Sequence, residues 1–166
     1  MAELTTQERL QPSLLDRLVD DEPERNQESR ERRVLSLPRL RDAVLRDLAW
    51  LFNTTNLAVA EDLSGCPDVA RSVLNFGMPE LTGTTVAGLD PVALERQVRE
   101  CICHFEPRLH RQTLEVRVTH APEESHHRAL EFEIVGELLA NPVPLQLYLK
   151  TEIDLENGNA QVVDAR

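Results

Sequence analysis

Aromatic side chains are scarce in this sequence, since Phe, Tyr and Trp make up 4% of its 166 residues. Leucine and valine must therefore supply most of any hydrophobic core. The chain also lacks a run of about 20 apolar residues, the length that a helix needs to cross a lipid bilayer. Its first 18 residues contain no basic segment followed by an apolar one, so we expect no signal peptide. These absences predict a soluble domain with an aliphatic core.

Cysteines and basic residues are also few. The three cysteines form an odd and sparse set, which is typical of a reducing compartment, so we expect a cytoplasmic protein. The 18 basic residues are outnumbered by 29 acidic ones, which gives a net charge of −11. Surfaces that bind nucleic acids or anionic membranes need clustered Lys and Arg. The charge balance therefore disfavours both of these function classes.

Motifs for catalysis and for cofactor or metal binding are missing from the sequence. It has no Gly-x-Ser-x-Gly elbow, no glycine-rich phosphate loop and no His-Glu-x-x-His motif. Cys101 and Cys103 stand two residues apart beside His104, so on a helix they point in different directions. No second ligand pair completes a zinc site, since His126 and His127 fall in a polar loop. We expect cysteines that pack in the core, no metal, no cofactor and no enzymatic activity.

What the sequence does contain is a helical periodicity over its first two thirds. One helix is predicted to begin near Ser36. A second begins near Pro67 and stops at Gly77, and a third extends from Asp90 to the residues before Pro107. Their apolar positions are Leu37, Leu40, Val44, Leu48 and Leu51 in the first, Val69, Val73 and Leu74 in the second, and Leu94, Val98, Cys101, Ile102 and Phe105 in the third.

After the third helix, the spacing of apolar residues changes from the helical period of about 3.6 residues to the strand period of about 2 residues. Apolar and polar residues alternate over residues 114–119, 130–138 and 145–154, which predicts three strands with one wet face each. The fold class is therefore expected to be α+β, with about three helices packed on a small, mainly antiparallel three-stranded sheet.

The chain divides into three parts on this interpretation. Residues 1–33 form an N-terminal docking segment and a charged linker, residues 34–156 form the α+β domain, and residues 157–166 form a turn and a short tail. The docking segment has an apolar stripe made of Leu14, Leu15 and Leu18. An isolated helix this short is marginal in water. The stripe is therefore expected to dock, either on this chain or on a partner.

A charged corner is predicted where the third helix ends. Pro107 fixes its own φ and biases Glu106 away from helix, so Glu106 and Arg108 flank a rigid turn. They can form an internal ion pair, contact another subunit, or do both. Glu106 is also the one acid that suggests a glycosidase, although no second carboxylate is evident.

The edges of the predicted sheet are a second candidate surface. An unprotected edge strand can accept a strand from another chain. Lys150, Pro142 and Pro144 would protect part of one strand, and a helix or the tail offers an alternative cover.

Four segments of the chain resemble the TssE family, whose members are baseplate subunits of the bacterial type VI secretion system. They are residues 12–18 (PSLLDRL), 51–54 (LFNT), 72–81 (SVLNFGMPEL) and 102–109 (ICHFEPRL). The last two are similar to the family's Leu-Asn-aromatic-Gly-x-Pro segment and its Glu-Pro-Arg corner. Thr55 departs from the pattern, which has a basic residue there. The family is related to a wedge protein of contractile phage tails and has carried a "lysozyme-like" label.

The resemblance implies a structural role in a symmetric baseplate, in several copies. By this likeness the chain joins a wedge with TssF and TssG near TssK, and Glu106, Pro107 and Arg108 match the corner that contacts the wedge core. The sheet would exchange strands with the sheath proteins TssB and TssC, so that the baseplate templates sheath polymerisation. The location implied is the cytoplasm, in a baseplate docked at the inner membrane.

Two other functions remain open. One is a component of a phage or phage-derived tail. The other is a peptidoglycan glycosidase, which the cytoplasmic signals disfavour because its substrate lies across the inner membrane.

Overall fold

Helices precede strands along the chain in the computed structural model, which describes residues 13–19, 24, 36–80, 90–119, 129–139, 144–155 and 157–164. The helices are α1 (Leu14–Leu18), α2 (Leu37–Phe52), α3 (Pro67–Ala70) and α4 (Pro91–Phe105), with 3-10 turns at Leu57–Val59 and Val73–Asn75. The strands are β1 (Glu115–Thr119), β2 (Ala129–Leu138), β3 (Leu145–Asp154) and β4 (Ala160–Asp164). The fold class is α+β, as predicted. Most of the expected linker, together with Pro12, His126, His127 and Pro142, lies outside the described residues.

The two long helices begin at the predicted caps. The Ser36 hydroxyl accepts the backbone N–H of Arg39 at 3.4 Å, and the Asp90 carboxylate accepts those of Val92 and Ala93 at 3.0 and 3.3 Å. Such side-chain caps satisfy N–H groups that the first helical turn leaves without partners. The predicted apolar stripes are largely buried, at Leu40, Val44, Leu48 and Leu51 in α2 and at Leu94, Val98 and Ile102 in α4.

The second predicted helix is only partly correct. It is reduced to the four residues of α3 and a separate 3-10 turn, and Val73 and Leu74 are 80% and 68% exposed rather than buried. Asn75 gives a physical reason. Its amide donates to the Ala70 carbonyl at 3.0 Å and accepts the Ala58 N–H at 2.9 Å. Side-chain bonds of this kind compete with the helical hydrogen-bond pattern.

Within the described ranges the sheet has four strands, so the prediction of three is wrong. All neighbours are antiparallel and the order is β1-β2-β3-β4. The additional strand, β4, lies in the segment expected to be a tail. It follows a tight turn at Gly158, which has φ 73° and donates to the Asp154 carbonyl at 2.7 Å. Strands β2 and β3 pair over ten residues, whereas β1 and β4 each pair over five.

The hydrophobic core lies between one face of this sheet and the helices. Alternate residues of the long strands point into it, including Leu130, Phe132 and Ile134 of β2 and Leu147 and Leu149 of β3. Among the described residues, Phe52 and Phe132 are the aromatic members of this core, which is otherwise aliphatic as the composition predicted. Every helix in the described ranges is too short or too polar to cross a lipid bilayer.

Candidate functional site

The Glu106-Pro107-Arg108 corner follows directly from the end of α4. Glu106 is the C-cap residue of α4, and its N–H still donates to the Ile102 carbonyl at 2.8 Å. Pro107 has no N–H with which to continue the helix. The Glu106 carbonyl then accepts the Leu109 N–H at 3.2 Å, which closes the turn.

Glu106 and Arg108 form the internal ion pair that was one of the two predicted interpretations. One oxygen of Glu106, Oε1, accepts the Arg108 backbone N–H at 3.0 Å and Nε–H at 2.7 Å, and the other oxygen accepts Nη2–H. The carboxylate is 3% exposed, so these bonds replace the water it has lost. The ion pair between Arg108 and Glu106 is therefore bidentate, and the Arg108 side chain remains 25% exposed.

Asp47 of α2 joins the pair from a distance in sequence. Its Oδ2 accepts a bond from Arg108 Nη2 at 2.6 Å. Burial alone lowers the pKa of Arg108, but the hydrogen bonds and charges of Glu106 and Asp47 outweigh burial and raise it. The guanidinium is therefore a permanent cation that ties the corner to α2.

The same charged cluster reaches the N-terminal segment. Arg46 donates to Asp47 through Nε and Nη2 at 3.0 and 2.9 Å, and through Nη1 to Asp16 of α1. The bond from Arg46 lowers the pKa of Asp16. Arg46 also lies 5.2 Å from the ring centre of Trp50. Helix α1 is thus attached to α2 by a polar contact.

Two leucines of the α1 stripe, Leu15 and Leu18, are exposed. Leu18 is 73% exposed and Leu15 is 42% exposed. The choice between this chain and a partner as the docking surface for these leucines stays a prediction.

The family-like segments at residues 51–54 and 72–81 meet next to the corner. The Thr54 carbonyl accepts the Met78 N–H at 2.7 Å, and the Met78 carbonyl accepts the Asn56 N–H at 3.0 Å. The second segment then packs on α4, where the rings of Phe76 and Phe105 meet edge to face at 5.2 Å between centroids. The structure therefore gathers three sequence motifs into one region.

The cysteines near this region pack in the core, as predicted. Cys101 lies with its sulfur 3.2 Å from the Gly77 carbonyl, and burial raises the pKa of its thiol to about 12. Cys103 also packs against the core, whereas Cys66 is exposed. Within the described ranges, no three His, Cys, Asp or Glu side chains lie together as metal ligands would.

The corner also continues the sheet. His110 donates to the Glu137 carbonyl at 2.8 Å, and Leu139 donates to the Arg108 carbonyl at 2.7 Å. The corner thus lies beside the end of β2, in line with β1. Pro107 is exposed and Arg108 is partly exposed, whereas Glu106 is buried. Of the three predicted contact residues, Pro107 and Arg108 are accessible at the surface, whereas Glu106 holds Arg108 in position.

Helix side chains occupy part of both sheet edges. Glu95 Oε1 accepts the Val118 N–H of β1 at 2.9 Å, and Arg99 Nε donates to the carbonyl of Leu114, the residue just before β1, at 3.0 Å. On β4, the Asn53 side-chain amide bonds both the N–H and the C=O of Ala160, at 2.9 and 2.8 Å. These three side chains form hydrogen bonds with backbone groups that would otherwise be available to a neighbouring strand. The expectation that Lys150 protects an edge is wrong, because β3 is an inner strand.

Sequence reasoning found the corner but missed Asp47, Asn53, Glu95 and Arg99. Asn53 lies in a family-like segment, which was a usable signal. The other three look like ordinary charges on the exposed faces of helices, and nothing local marks them as partners of distant groups.

The fold and the site together define a small α+β domain with a braced charged corner and with sheet edges that are partly occupied by side chains of the helical layer. The family described as baseplate wedge protein gp25 matches residues 38–143, and the chain belongs to this family. The family includes TssE, which confirms the resemblance seen in the sequence. Searches of curated proteins and of solved structures each returned no match. The chain is therefore a structural baseplate component that assembles with other baseplate proteins.

Proposed function

We propose that this chain is the TssE subunit of a type VI secretion baseplate, which joins the TssF/TssG wedge and templates polymerisation of the TssB/TssC sheath. The observation that supports this most strongly is the family match, because it covers α2, α4 and the corner. In this proposal the protein lies near TssK in the cytoplasm, in a baseplate docked at the inner membrane.

The corner is proposed to contact the wedge core. Pro107 and Arg108 reach the surface there, and Glu106 and Asp47 fix the guanidinium, so a partner finds it already ordered. Preorganised side chains lose less entropy on binding, which favours such a residue as a contact.

The sheet is proposed to receive an arm of the first sheath ring. One intermolecular backbone hydrogen bond contributes only about 0.5–1.5 kcal/mol net, so a single added strand binds weakly. Repetition of the contact around a symmetric baseplate supplies avidity without a large interface per copy. Weak single contacts also restrain sheath assembly away from a finished platform.

Co-purification with TssF and TssG, together with microscopy of fluorescent TssB sheaths, tests this proposal. Arg108→Gln should reduce both the recovered wedge and the number of sheaths, in protein shown by circular dichroism to be folded at the assay temperature. Arg39→Gln is the matched control, because it makes the same chemical change at an exposed position of α2 and leaves the corner intact. Normal assembly with folded Arg108→Gln would remove the corner from the mechanism.

A phage or phage-derived tail component is the second candidate, and the phage wedge description of the matched family favours it. The neighbouring genes distinguish the two. Genes for TssF, TssG and the sheath beside this one support a secretion apparatus, whereas tail fibre and capsid genes support a phage.

A peptidoglycan glycosidase is disfavoured by the state of Glu106. A catalytic acid needs access to substrate, but this carboxylate is 3% exposed and bonded to Arg108 at both oxygens. We expect purified protein to leave cell walls undigested. Digestion that disappears in Glu106→Gln would establish the enzymatic alternative.

A further inference from the structure

Two adjoining aliphatic side chains point outward from the second 3-10 turn. Val73 is 80% exposed and Leu74 is 68% exposed. Exposed apolar side chains that stand singly are ordinary on protein surfaces. These two are neighbours in sequence, and Val59 of the first 3-10 turn, which is 45% exposed, belongs to the same small lobe of residues 56–76. The lobe therefore has an apolar surface of its own.

One side chain holds the short elements of the lobe together. The amide of Asn75 donates to the Ala70 carbonyl at the end of α3 and accepts the Ala58 N–H of the first 3-10 turn. These two bonds join both 3-10 turns and α3. The lobe is thus a cross-linked unit rather than a chain of separate turns.

A second side chain fixes the turn that carries the two aliphatic residues. The Ser72 hydroxyl accepts the Leu74 N–H at 3.2 Å and donates to the Val69 carbonyl at 2.9 Å. The Phe76 N–H then donates to the Val73 carbonyl at 3.2 Å, which closes the turn. A partner therefore meets Val73 and Leu74 on an ordered backbone, which reduces the conformational entropy lost on binding.

The charges of the lobe indicate what kind of surface fits it. Residues 56–76 include three exposed acids, Glu61, Asp62 and Asp68, and one exposed base, Arg71. Like charge opposes the pairing of two copies through this surface, and anionic lipids and nucleic acids meet the same repulsion. The complementary surface is a protein pocket that is apolar inside and bordered by Lys and Arg.

The lobe is anchored beside the charged corner. Phe76, two residues after Leu74, packs edge to face on Phe105 at 5.2 Å between ring centroids, and Glu106 directly follows Phe105. The apolar pair and the corner thus belong to neighbouring parts of the fold. The protein that binds the corner is therefore the nearest candidate for the lobe.

We propose that Val73 and Leu74 insert into an apolar pocket bordered by basic residues on the TssF/TssG wedge, as a second contact beside that of the corner. This inference rests on the proposed function and deepens it. It gives a role to two residues whose spacing had predicted a buried helix face.

The affinity of the full-length protein for the purified TssF/TssG complex, measured by isothermal titration calorimetry, tests this inference. Val73→Ser and Leu74→Ser should each weaken binding about tenfold, because each removes apolar area that the pocket would bury. Val92→Ser is the matched control, since Val92 of α4 is 72% exposed, and it should bind as the wild type does. Urea unfolding midpoints should stay close to that of the wild type in all three variants, because substitutions at exposed positions change stability little.

A charge reversal tests the basic border of the pocket. Glu61→Lys should weaken binding, and its difference from the wild type should diminish at high ionic strength, where charges are screened. Glu152→Lys makes the same change at an exposed position of β3 and should bind normally. Equal weakening by both reversals would assign the effect to net charge and overturn the basic border.

The corner variant separates this contact from the proposed function. Weak binding by Arg108→Gln together with normal binding by Val73→Ser and Leu74→Ser would overturn the inference and leave the corner contact standing. Equal losses in Val73→Ser and Val92→Ser would also overturn it, because the effect would not be specific to the lobe.

Two further outcomes concern the partner. Sedimentation velocity of the free chain shows whether a second copy occupies the lobe. Self-association that Leu74→Ser abolishes, with wedge affinity unchanged, would overturn the wedge as partner. A wild-type protein that does not bind TssF/TssG would refute the proposed function, and this inference with it.

Discussion

At the scale of single residues, Gly77 occupies a tightly constrained position of the backbone. It has φ 125°, a conformation that L side chains rarely adopt, and it lies against the end of α2. A Cβ atom at this position would be 2.3 Å from the Thr54 carbonyl oxygen. The glycine of the Leu-Asn-aromatic-Gly-x-Pro segment is therefore required by close backbone approach.

Gly77→Ala should destabilise the protein by at least about 2 kcal/mol, because backbone strain and a clash with backbone atoms act together. The check is a urea unfolding curve. Gly65→Ala is the matched control, since a Cβ atom at Gly65 would have no neighbour within 4 Å, and it should change stability by less than about 1 kcal/mol. Equal effects of the two substitutions would contradict the proposed contact with Thr54.

The corner shows a second residue-scale effect, the cost of leaving one charge of a buried pair alone. Arg108→Met deprives the buried Glu106 of its cation and should cost roughly 3–5 kcal/mol. Arg117→Met is the control, because Arg117 and its partner Glu115 are 73% and 63% exposed and such pairs contribute about 0–1 kcal/mol. Chemical denaturation of both variants at pH 7 measures the difference. A small loss for Arg108→Met would show that the corner is not braced by this pair.

At the scale of elements, the spacing of apolar residues correctly predicted the longer helices and strands. Helices α2 and α4 and strands β1 to β3 have long apolar stripes, so their type and the buried face followed from spacing alone. Strand β4 was missed because Gln161, Val162 and Val163 are too short a pattern to show alternation. The pairing of Asp47 with Arg108 was missed because it joins residues 61 apart in sequence. Such contacts depend on how α2 and α4 pack, which no local pattern encodes.

The attachment of α1 gives an element-scale prediction in pH. The bond from Arg46 lowers the pKa of Asp16, so its contribution is complete above the unfolded value of about 3.9 and is lost as pH falls through the folded value. The effect on stability should be at most about 1 kcal/mol, because both side chains are partly solvated.

Tryptophan fluorescence can follow this change, since Trp50 is the single tryptophan and lies beside Arg46. Emission should shift below about pH 4, the unfolded pKa range of an aspartate, while far-UV circular dichroism still reports a folded domain. Asp16→Asn should show the acid spectrum already at neutral pH. A pH response that persists in Asp16→Asn would assign the titration to another carboxylate.

At the scale of the whole molecule, the sheet edges determine whether the free protein is monomeric or self-associates. Open edges template association, and here helix side chains occupy outward backbone groups of both outer strands. A net charge of −11 opposes self-association as well. We therefore expect the free protein to be monomeric, so that strand pairing is kept for a partner that competes for an edge.

The double variant Glu95→Ala/Arg99→Ala should expose the β1 edge and associate as concentration rises. Sedimentation velocity at several concentrations measures this. Arg96→Ala/Glu100→Ala removes the same charges from exposed positions of the same helix and should remain monomeric. A monomeric edge variant would show that these two side chains do not protect the strand.

The unequal strand lengths have a mechanical consequence. Strands β2 and β3 share ten residue pairs, and ladder hydrogen bonds run across the strand direction. A pull parallel to the strands stretches all of these bonds at once, whereas a pull across them breaks one pair after another. The β2–β3 pair is thus mechanically most resistant along the strand direction. A contracting apparatus that applied force in that direction would have to break all of these hydrogen bonds together.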